Sequence, residues 1–484
     1  MNNNKKSIEP TRYKCILVRF ILALLAWGAC LSPVQATHIL PGKLPTRFDA
    51  LTVEVRPLVE STPRGGLPHF YQKLEQRQPE VSIAYFGGSI TEQDGYRIHS
   101  RKFFQQQYPD TKINEINAAI GGTGSDLGAF RCWHDVLRHN PDLVIVEFAV
   151  NDYGMAVVNI RKQMEGIVRQ VWRHDATTDI LFVYTLTADH LKELQGGYMP
   201  RSASVMEEIA DYYDIPSIHM GVEVTRLVGE DKLVMKAERE GMTRVSGSEL
   251  NVKPDAVVNT DGSMPVNAEG KIPFAKDGVH PYADTGHALY MSAIQRALPA
   301  IKAAGRFCQH SLPASMVPDC FEQVVTVSFD DDRVSKTGQW KKNDATDAVT
   351  KPFLKRCDDF FTFEPGSAIT FSFRGRKASI YDLLGPECAI LSVSVDGQPA
   401  RMVARFDGYC TYHRLALMYV CDNLDPSKVH RVSIKVTDHD VKKRDILFEH
   451  NKADYDSNPR KYAPIHAFAG NIFIVGELVE SDNF

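Results

Sequence analysis

VSIAYFGGSIT, residues 81–91, begins as an apolar run and ends in two glycines, a serine and a threonine. Val81 to Phe86 is rich in β-branched and aromatic residues and too short to be a helix of its own, so it reads as a buried strand. Gly87 and Gly88 then allow a tight turn, and Ser89 presents a hydroxyl where the next element begins. The pattern recurs downstream. Ile113 to Ile120, Leu143 to Val150, Ile180 to Leu186 and Ile215 to Met220 are further apolar runs bounded by Gly, Pro, Asn or Asp. Between them lie helical stripes, one carrying Ile160, Met164, Ile167 and Val171, another carrying Met291, Ile294 and Leu298. Strands alternating with amphipathic helices predict an α/β domain on a parallel sheet across residues 80–304.

Residues 230–275 break this rhythm. Their turn-forming clusters, Asn259-Thr260-Asp261-Gly262 and Asn267-Ala268-Glu269-Gly270, predict a long loop or hairpin insertion. Residues 305–321 read as a linker, and beyond them the apolar period becomes two. Ile369, Phe371 and Phe373 alternate with polar residues, as do Leu391, Val393 and Val395 before the turn Asp396-Gly397, and then Val432, Ile434 and Val436. That alternation predicts an all-β sandwich over residues 322–484. Residues 37–79 form an N-terminal extension. Ahead of it, Lys5, Lys6, Arg12, Lys14 and Arg19 precede an apolar run from Phe20 to Leu31 and a small-residue cleavage site, Val34-Gln35-Ala36. Residues 1–36 therefore read as a secretory signal, because the apolar run falls short of the roughly 20 residues a membrane-spanning helix needs. Cleavage after Ala36 would leave a secreted or periplasmic protein without membrane insertion.

The whole chain of 484 residues is 43% hydrophobic and 24% charged, which excludes wholesale disorder and collagen-like repetition. Lys and Arg number 56 against 60 Asp and Glu, a net charge of -4, so the basic footprint of a nucleic-acid binder is missing. Cys132, Cys308, Cys320, Cys357, Cys388, Cys410 and Cys421 remain once the signal is removed, and an odd count leaves at least one thiol unpaired. Cys308 and Cys320 are spaced to close a short loop. No CxxC pair indicates a structural zinc site.

Open α/β sheets bind ligands at the carboxyl ends of their strands. Polar residues stand at three such ends: Ser89 after the first strand, Gly121-Gly122-Thr123-Gly124 after the second, and Asn151-Asp152 after the third. Far downstream, Asp277 precedes His280 by three residues. Ester hydrolysis by serine needs a base for the hydroxyl, a group that orients the base, and donors aimed at the developing oxyanion, and this chain offers each. In this order, the four segments resemble the sequence blocks of the SGNH (GDSL-type) hydrolase superfamily. The resemblance covers roughly residues 80–300 and implies a flavodoxin-like, three-layer hydrolase domain. It further implies Ser89 as nucleophile, His280 as base oriented by Asp277, an oxyanion hole from the Ser89 N–H, Gly122 and Asn151, and neither cofactor nor metal.

Gly88 stands where the superfamily usually has Asp, and Gly-Gly-Ser-Ile-Thr resembles a subgroup rich in exported carbohydrate esterases. An attached, jelly-roll-like β-sandwich suits that subgroup. The resemblance thus implies an acylated carbohydrate as substrate and removal of O-acetyl or similar short acyl groups from it. Two other readings stand beside this one: a carbohydrate O-acyltransferase and a non-catalytic carbohydrate-binding protein. Asp94, Tyr96 and Arg97 are candidates to line the substrate cleft, and Trp340, Tyr409 and Tyr412 to stack on sugars or fill the sandwich core. Taken alone, Ser89 could be a helix N-cap. His280 could join Asp277, Asp284 and His287 on a metal, although two histidines seven positions apart do not have the spacing of a helical zinc pair.

Overall fold

The computed structural model describes residues 52–238, 264–439 and 442–480, so the signal segment and the middle of the insertion lie outside the described residues. The first half of the chain builds one sheet from β1 (Ser61–Thr62), β2 (Glu80–Gly87), β3 (Lys112–Asn117), β4 (Leu143–Glu147), β5 (Asp179–Tyr184) and β6 (Ser217–His219), in the order β1-β6-β5-β4-β2-β3. β1 is an antiparallel edge, and the other strands pair in parallel. Among those parallel strands the second lies outside the first and the third lies on the first's other side, which is the flavodoxin order. The order therefore reverses between β2 and β4, and a crevice opens at their carboxyl ends.

Helices cover both faces. They are α1 (Pro68–Glu75), α2 (Ser89–Glu92), α3 (Tyr96–Gln107), α4 (Ser125–Asp135), α5 (Val157–His174), α6 (Leu191–Gln195), α7 (Arg201–Tyr213), α8 (Val222–Gly229) and α9 (Gly286–Ala304). α4, α5 and α7 share one hydrophobic core with the sheet, and α1, α3, α8 and α9 share the other. Covered on both sides, β4 and β5 are buried at every position, which is why they read as unbroken apolar runs. The stripe Ile160, Met164, Ile167 and Val171 of α5 is buried, each side chain contributing roughly 1.5–3 kcal/mol by leaving water. α1 and β1, read from sequence as part of an extension, belong to these same layers.

The apolar runs outlast the strands at their carboxyl ends. Ala118, Ala119, Phe148 and Leu186 are buried although they lie beyond the paired segments. Burial continues past the assigned strands and keeps these tips apolar while the chain turns out to form the crevice. The insertion also differs from a hairpin. Its ends, β7 (Leu233–Lys236) and β8 (Ile272–Ala275), pair in parallel, and β8 leads directly into the Asp277–His280 turn.

The named strands of the second half all pair antiparallel. β9 (Val324–Ser328), β10 (Ser335–Thr337), β11 (Trp340–Lys342), β12 (Phe361–Phe363), β13 (Ala368–Leu384), β14 (Ile390–Val395), β15 (Arg401–Ala404), β16 (Arg414–Cys421), β17 (Val429–Val436) and β18 (Ala467–Val479) join one hydrogen-bonded network. The long strands β13 and β18 change register around the Gly375–Gly476 pair. Before that point β13 pairs with β17 and after it with β16. The network thereby wraps a core that includes Phe371, Phe373, Ile380, Ile434 and Ile472, the inward set of the period-two pattern.

This β-domain packs on α4. Phe130 stacks on Phe473, ring centroids 5.0 Å apart, and Tyr381, Leu383 and Val475 join the same core as α5. The connecting segment is strapped to α5: Glu165 accepts the Met316 and Val317 N–H groups, and the Gln170 amide donates to the Phe321 carbonyl at 2.7 Å. All seven described cysteines are free thiols, so Cys308, which is exposed, and Cys320, which is buried, do not close the loop their spacing suggested. Among the described residues, no helix is long and apolar enough to cross a membrane.

Candidate active site

Ser89 stands at the first position of α2, past the carboxyl end of β2, with Gly88 as the capping residue. Its hydroxyl does not cap the helix. Ser89 Oγ lies 2.8 Å from His280 Nε2, and His280 Nδ1 lies 2.7 Å from Asp277 Oδ2. The other Asp277 oxygen accepts the Val279 and His280 N–H groups at 2.9 Å each. Asp277 thus closes its own turn around Gly278, and the Gly278 carbonyl takes the Ala188 N–H at 2.8 Å, tying the turn to the segment after β5. The bonds from His280 and from both N–H groups outweigh burial and hold the Asp277 carboxyl well below the usual carboxylate range.

Gly88 and Gly122 are demanded by geometry. A side-chain carbon at position 88 would sit 2.0 Å from Asn151 Oδ1, so Asn151 lies directly against the turn that carries Ser89. Gly122 has φ of +72°, the left-handed region that L residues avoid. Ahead of it, Ala118 and Ile120 donate to the Tyr85 and Gly87 carbonyls, Ala119 donates to Asn117 Oδ1, and Gly121 donates to Glu92 Oε2. The next N–H, that of Gly122, has no acceptor among the described residues and faces an exposed position. Ser89, Gly122, Asn151, Asp277 and His280 are therefore gathered at the crevice where the strand order reverses.

Buried polar groups beneath the crevice hold it. Glu147, fully buried at the tip of β4, accepts the Thr91 and Thr185 hydroxyls at 3.1 and 2.9 Å and the Gly88 and Val150 N–H groups. It links the turn before Ser89 to the turn before Asn151, and burial raises its pKa. Asp152 accepts the Ser125 N–H at 3.0 Å and so joins the Asn151 turn to the start of α4. Burial pushes the Asp152 carboxyl up to about 7, and its Oδ2 has no hydrogen-bond partner. Arg131, also buried, donates to the Ala118 and Gly87 carbonyls and pairs with Asp135 at 2.9 Å.

Of the three cleft candidates after the nucleophile, Tyr96 and Arg97 turn inward instead of lining a cleft, while Asp94 keeps a third of its side chain exposed. Tyr96 is fully buried, its hydroxyl 2.7 Å from Thr91 Oγ1. Arg97 is buried too; it pairs with Asp94 at 2.7 Å and with Glu115, and it donates to the Thr91 carbonyl. A fixed guanidinium caps the end of α2 here, and Asp94 serves as its counter-ion. His287 is a packing residue whose Nδ1 accepts the Tyr96 N–H, and burial holds its pKa well below the usual value. The grouped His69, Asp179 and His310 lie at the amino end of β5, away from the crevice; His310 pairs with Asp179 at 2.7 Å and stacks on Trp172. Trp340 and Tyr409 are exposed on the β-domain and so are not core.

Sequence reasoning passed over Glu147, whose signal was a lone carboxylate in the run LVIVEFAV, residues 143–150. It also passed over Tyr153, two residues beyond Asn151. The exposed Tyr153 ring rests on His190, centroids 4.5 Å apart, beside Glu193.

Comparison with known proteins agrees with this architecture. The family model described as GDSL-like lipase/acylhydrolase matches residues 85–238, from β2 through β7, and stops short of Asp277 and His280. No curated protein sequence matches the chain. A two-domain esterase active on acetylated mannans, crystallised with mannopentaose, is similar over 88% of this chain and 98% of its own, at 20% identity and a TM-score of 0.61. A second structure of an esterase so described gives the same coverage and identity with a TM-score of 0.62. At that identity the likeness is one of fold, and it extends over both domains. Residues 85–238 thus carry a GDSL-like lipase/acylhydrolase domain.

Proposed function

We propose that Ser89 is the nucleophile of a two-step hydrolysis that removes O-acetyl or similarly short acyl groups from a carbohydrate outside the cytoplasm. The observation that carries this reading is the unbroken relay from Asp277 through His280 to Ser89, with links of 2.7 and 2.8 Å. Asp277, held ionised, fixes the imidazole with its proton on Nδ1 and leaves Nε2 as an acceptor. His280 takes the Ser89 proton as Oγ bonds to the ester carbonyl carbon, and the carbonyl oxygen becomes an oxyanion. The N–H groups of Ser89 and Gly122 and the Asn151 amide are the donors for that charge. His280 then protonates the departing sugar oxygen as the ester C–O bond breaks. Water repeats the sequence on the acyl-enzyme, releasing the acid and restoring the Ser89 hydroxyl.

Two features support the carbohydrate part. The fold likeness to an esterase acting on acetylated mannans spans both domains, and the exposed Tyr153 ring beside Asn151 offers an apolar face of the kind that sugar rings stack on. The N-terminal signal pattern supports export. The test is acetate release from a panel of acetylated polysaccharides and from 4-nitrophenyl acetate, comparing wild type with Ser89→Ala. Release that vanishes in the variant is expected, and release that persists overturns the assignment of the nucleophile. Transfer of acetyl to added sugar in preference to water would replace hydrolysis by acyl transfer.

A further inference from the structure

The segment that carries Gly122 is held from outside its own domain. Between β3 and α4, guanidinium groups take the Asn117, Ala118 and Ala119 carbonyls. Arg131 of α4 donates to the Ala118 carbonyl. Arg356 of the β-domain donates to the Ala119 carbonyl through Nη2 at 2.6 Å and to the Asn117 carbonyl through Nη1 at 3.3 Å. The two arginines share Asp135, 2.9 Å from Arg131 and 3.5 Å from Arg356. The Arg356 side chain is only 10% exposed.

Arg356 sits in the loop between β11 and β12, and that loop is fixed in its own domain. Asn343 donates to the Phe360 carbonyl and accepts the Thr362 hydroxyl, each at 2.8 Å. The Arg356 N–H bonds the Phe353 carbonyl at 2.8 Å, and Cys357 behind it is buried against Asn471 and Gly470 of β18. Burial raises the pKa of Glu92, the acceptor of the Gly121 N–H, and Arg356 lies near enough to offset part of that rise. A second contact, Tyr419 of β16 to Asp126 in the first turn of α4, closes over the other end of the same loop.

We infer that Arg356 is a positioning residue for the ester hydrolysis: by capping the Asn117 and Ala119 carbonyls from the β-domain, it sets the path of the 118–122 segment and hence the aim of the Gly122 N–H. The β-domain is then part of the oxyanion hole's support and not only an appended module. This rests on the Ser89 and Gly122 reading above. Donor alignment is steep: a misplacement of about 1 Å costs on the order of 100-fold, and one lost donor costs roughly 100- to 1,000-fold.

The test measures kcat and KM of the full chain on 4-nitrophenyl acetate for wild type, Ser89→Ala, Arg356→Ala, Arg356→Lys and the exposed-loop control Lys351→Ala. Arg356→Ala is expected to lose about 10- to 100-fold in kcat with KM within about twofold, and added methylguanidine to restore part of the loss. Arg356→Lys, whose ammonium reaches the carbonyls without the planar fork, is expected to fall between. Lys351→Ala should match wild type. Wild-type kcat in Arg356→Ala, a loss confined to KM, or a loss that Lys351→Ala shares overturns the inference. Should Arg356→Ala fail to fold, Arg356→Lys decides alone: reduced kcat at unchanged KM and melting temperature supports it, and wild-type kcat overturns it. Full activity in Ser89→Ala instead removes the nucleophile assignment, and this inference falls with it.

Discussion

Asn151 and Gly88 touch, and each can be changed separately. Asn151→Ala removes one oxyanion donor, so kcat on 4-nitrophenyl acetate should fall roughly 100- to 1,000-fold with little change in KM; a rise in KM at constant kcat would assign the side chain to ground-state binding instead. Gly88→Ala adds a carbon 2.0 Å from Asn151 Oδ1 and must displace that amide. Its kcat is expected to fall by at least about tenfold while the double variant with Asn151→Ala is no worse than Asn151→Ala alone, a non-additivity that steady-state kinetics reads directly. The grouping of these side chains was legible in the sequence, because the proposed reacting groups follow strand ends in a fixed order. What supports them was not. Tyr96 and Arg97 are close to Ser89 in sequence and follow it into a helix that turns them inward, whereas Glu147 and Arg356 act through contacts that no local period encodes.

Asp152 puts a buried carboxylate between the β4 turn and the N-terminus of α4. With a folded pKa of about 7 against roughly 3.9 in an unfolded chain, the folded state holds this proton more tightly between those values. The group's contribution to stability therefore declines as pH rises from about 4 to 7 and is level above. Asp152→Asn keeps an acceptor for the Ser125 N–H and has nothing to ionise. Relative to wild type it should gain on the order of 2 kcal/mol in unfolding free energy between pH 5 and pH 8, read from urea titrations at both pH values. An offset independent of pH would mean that Asp152 stays charged in the fold. At this scale the strands and long helices were readable from their periods, while the parallel pairing of β7 and β8 was not. Turn-forming residues mark where a chain bends, and they do not say which partner the flanking segments find.

Across the whole molecule, the hydrophobic core of α4, α5 and α7 runs without a break into β13 and β18 through Phe130, Tyr381, Phe473 and Val475. Interfaces of this kind couple domain stabilities, so thermal unfolding monitored by calorimetry and by far-ultraviolet circular dichroism should give one coincident transition; two separated transitions would contradict the coupling. A chain ending at residue 304 would bare Phe130 to water and should be recovered as insoluble material. The strapped linker adds to this, since Glu165 and Gln170 spend their hydrogen bonds on residues 316–321. The stacked pair Phe130 and Phe473 then bears on ancestry as much as on stability. Exchanging the C-terminal half for an unrelated β-sandwich would need matching changes along α4, so the two halves should have diversified in step, as one inherited unit.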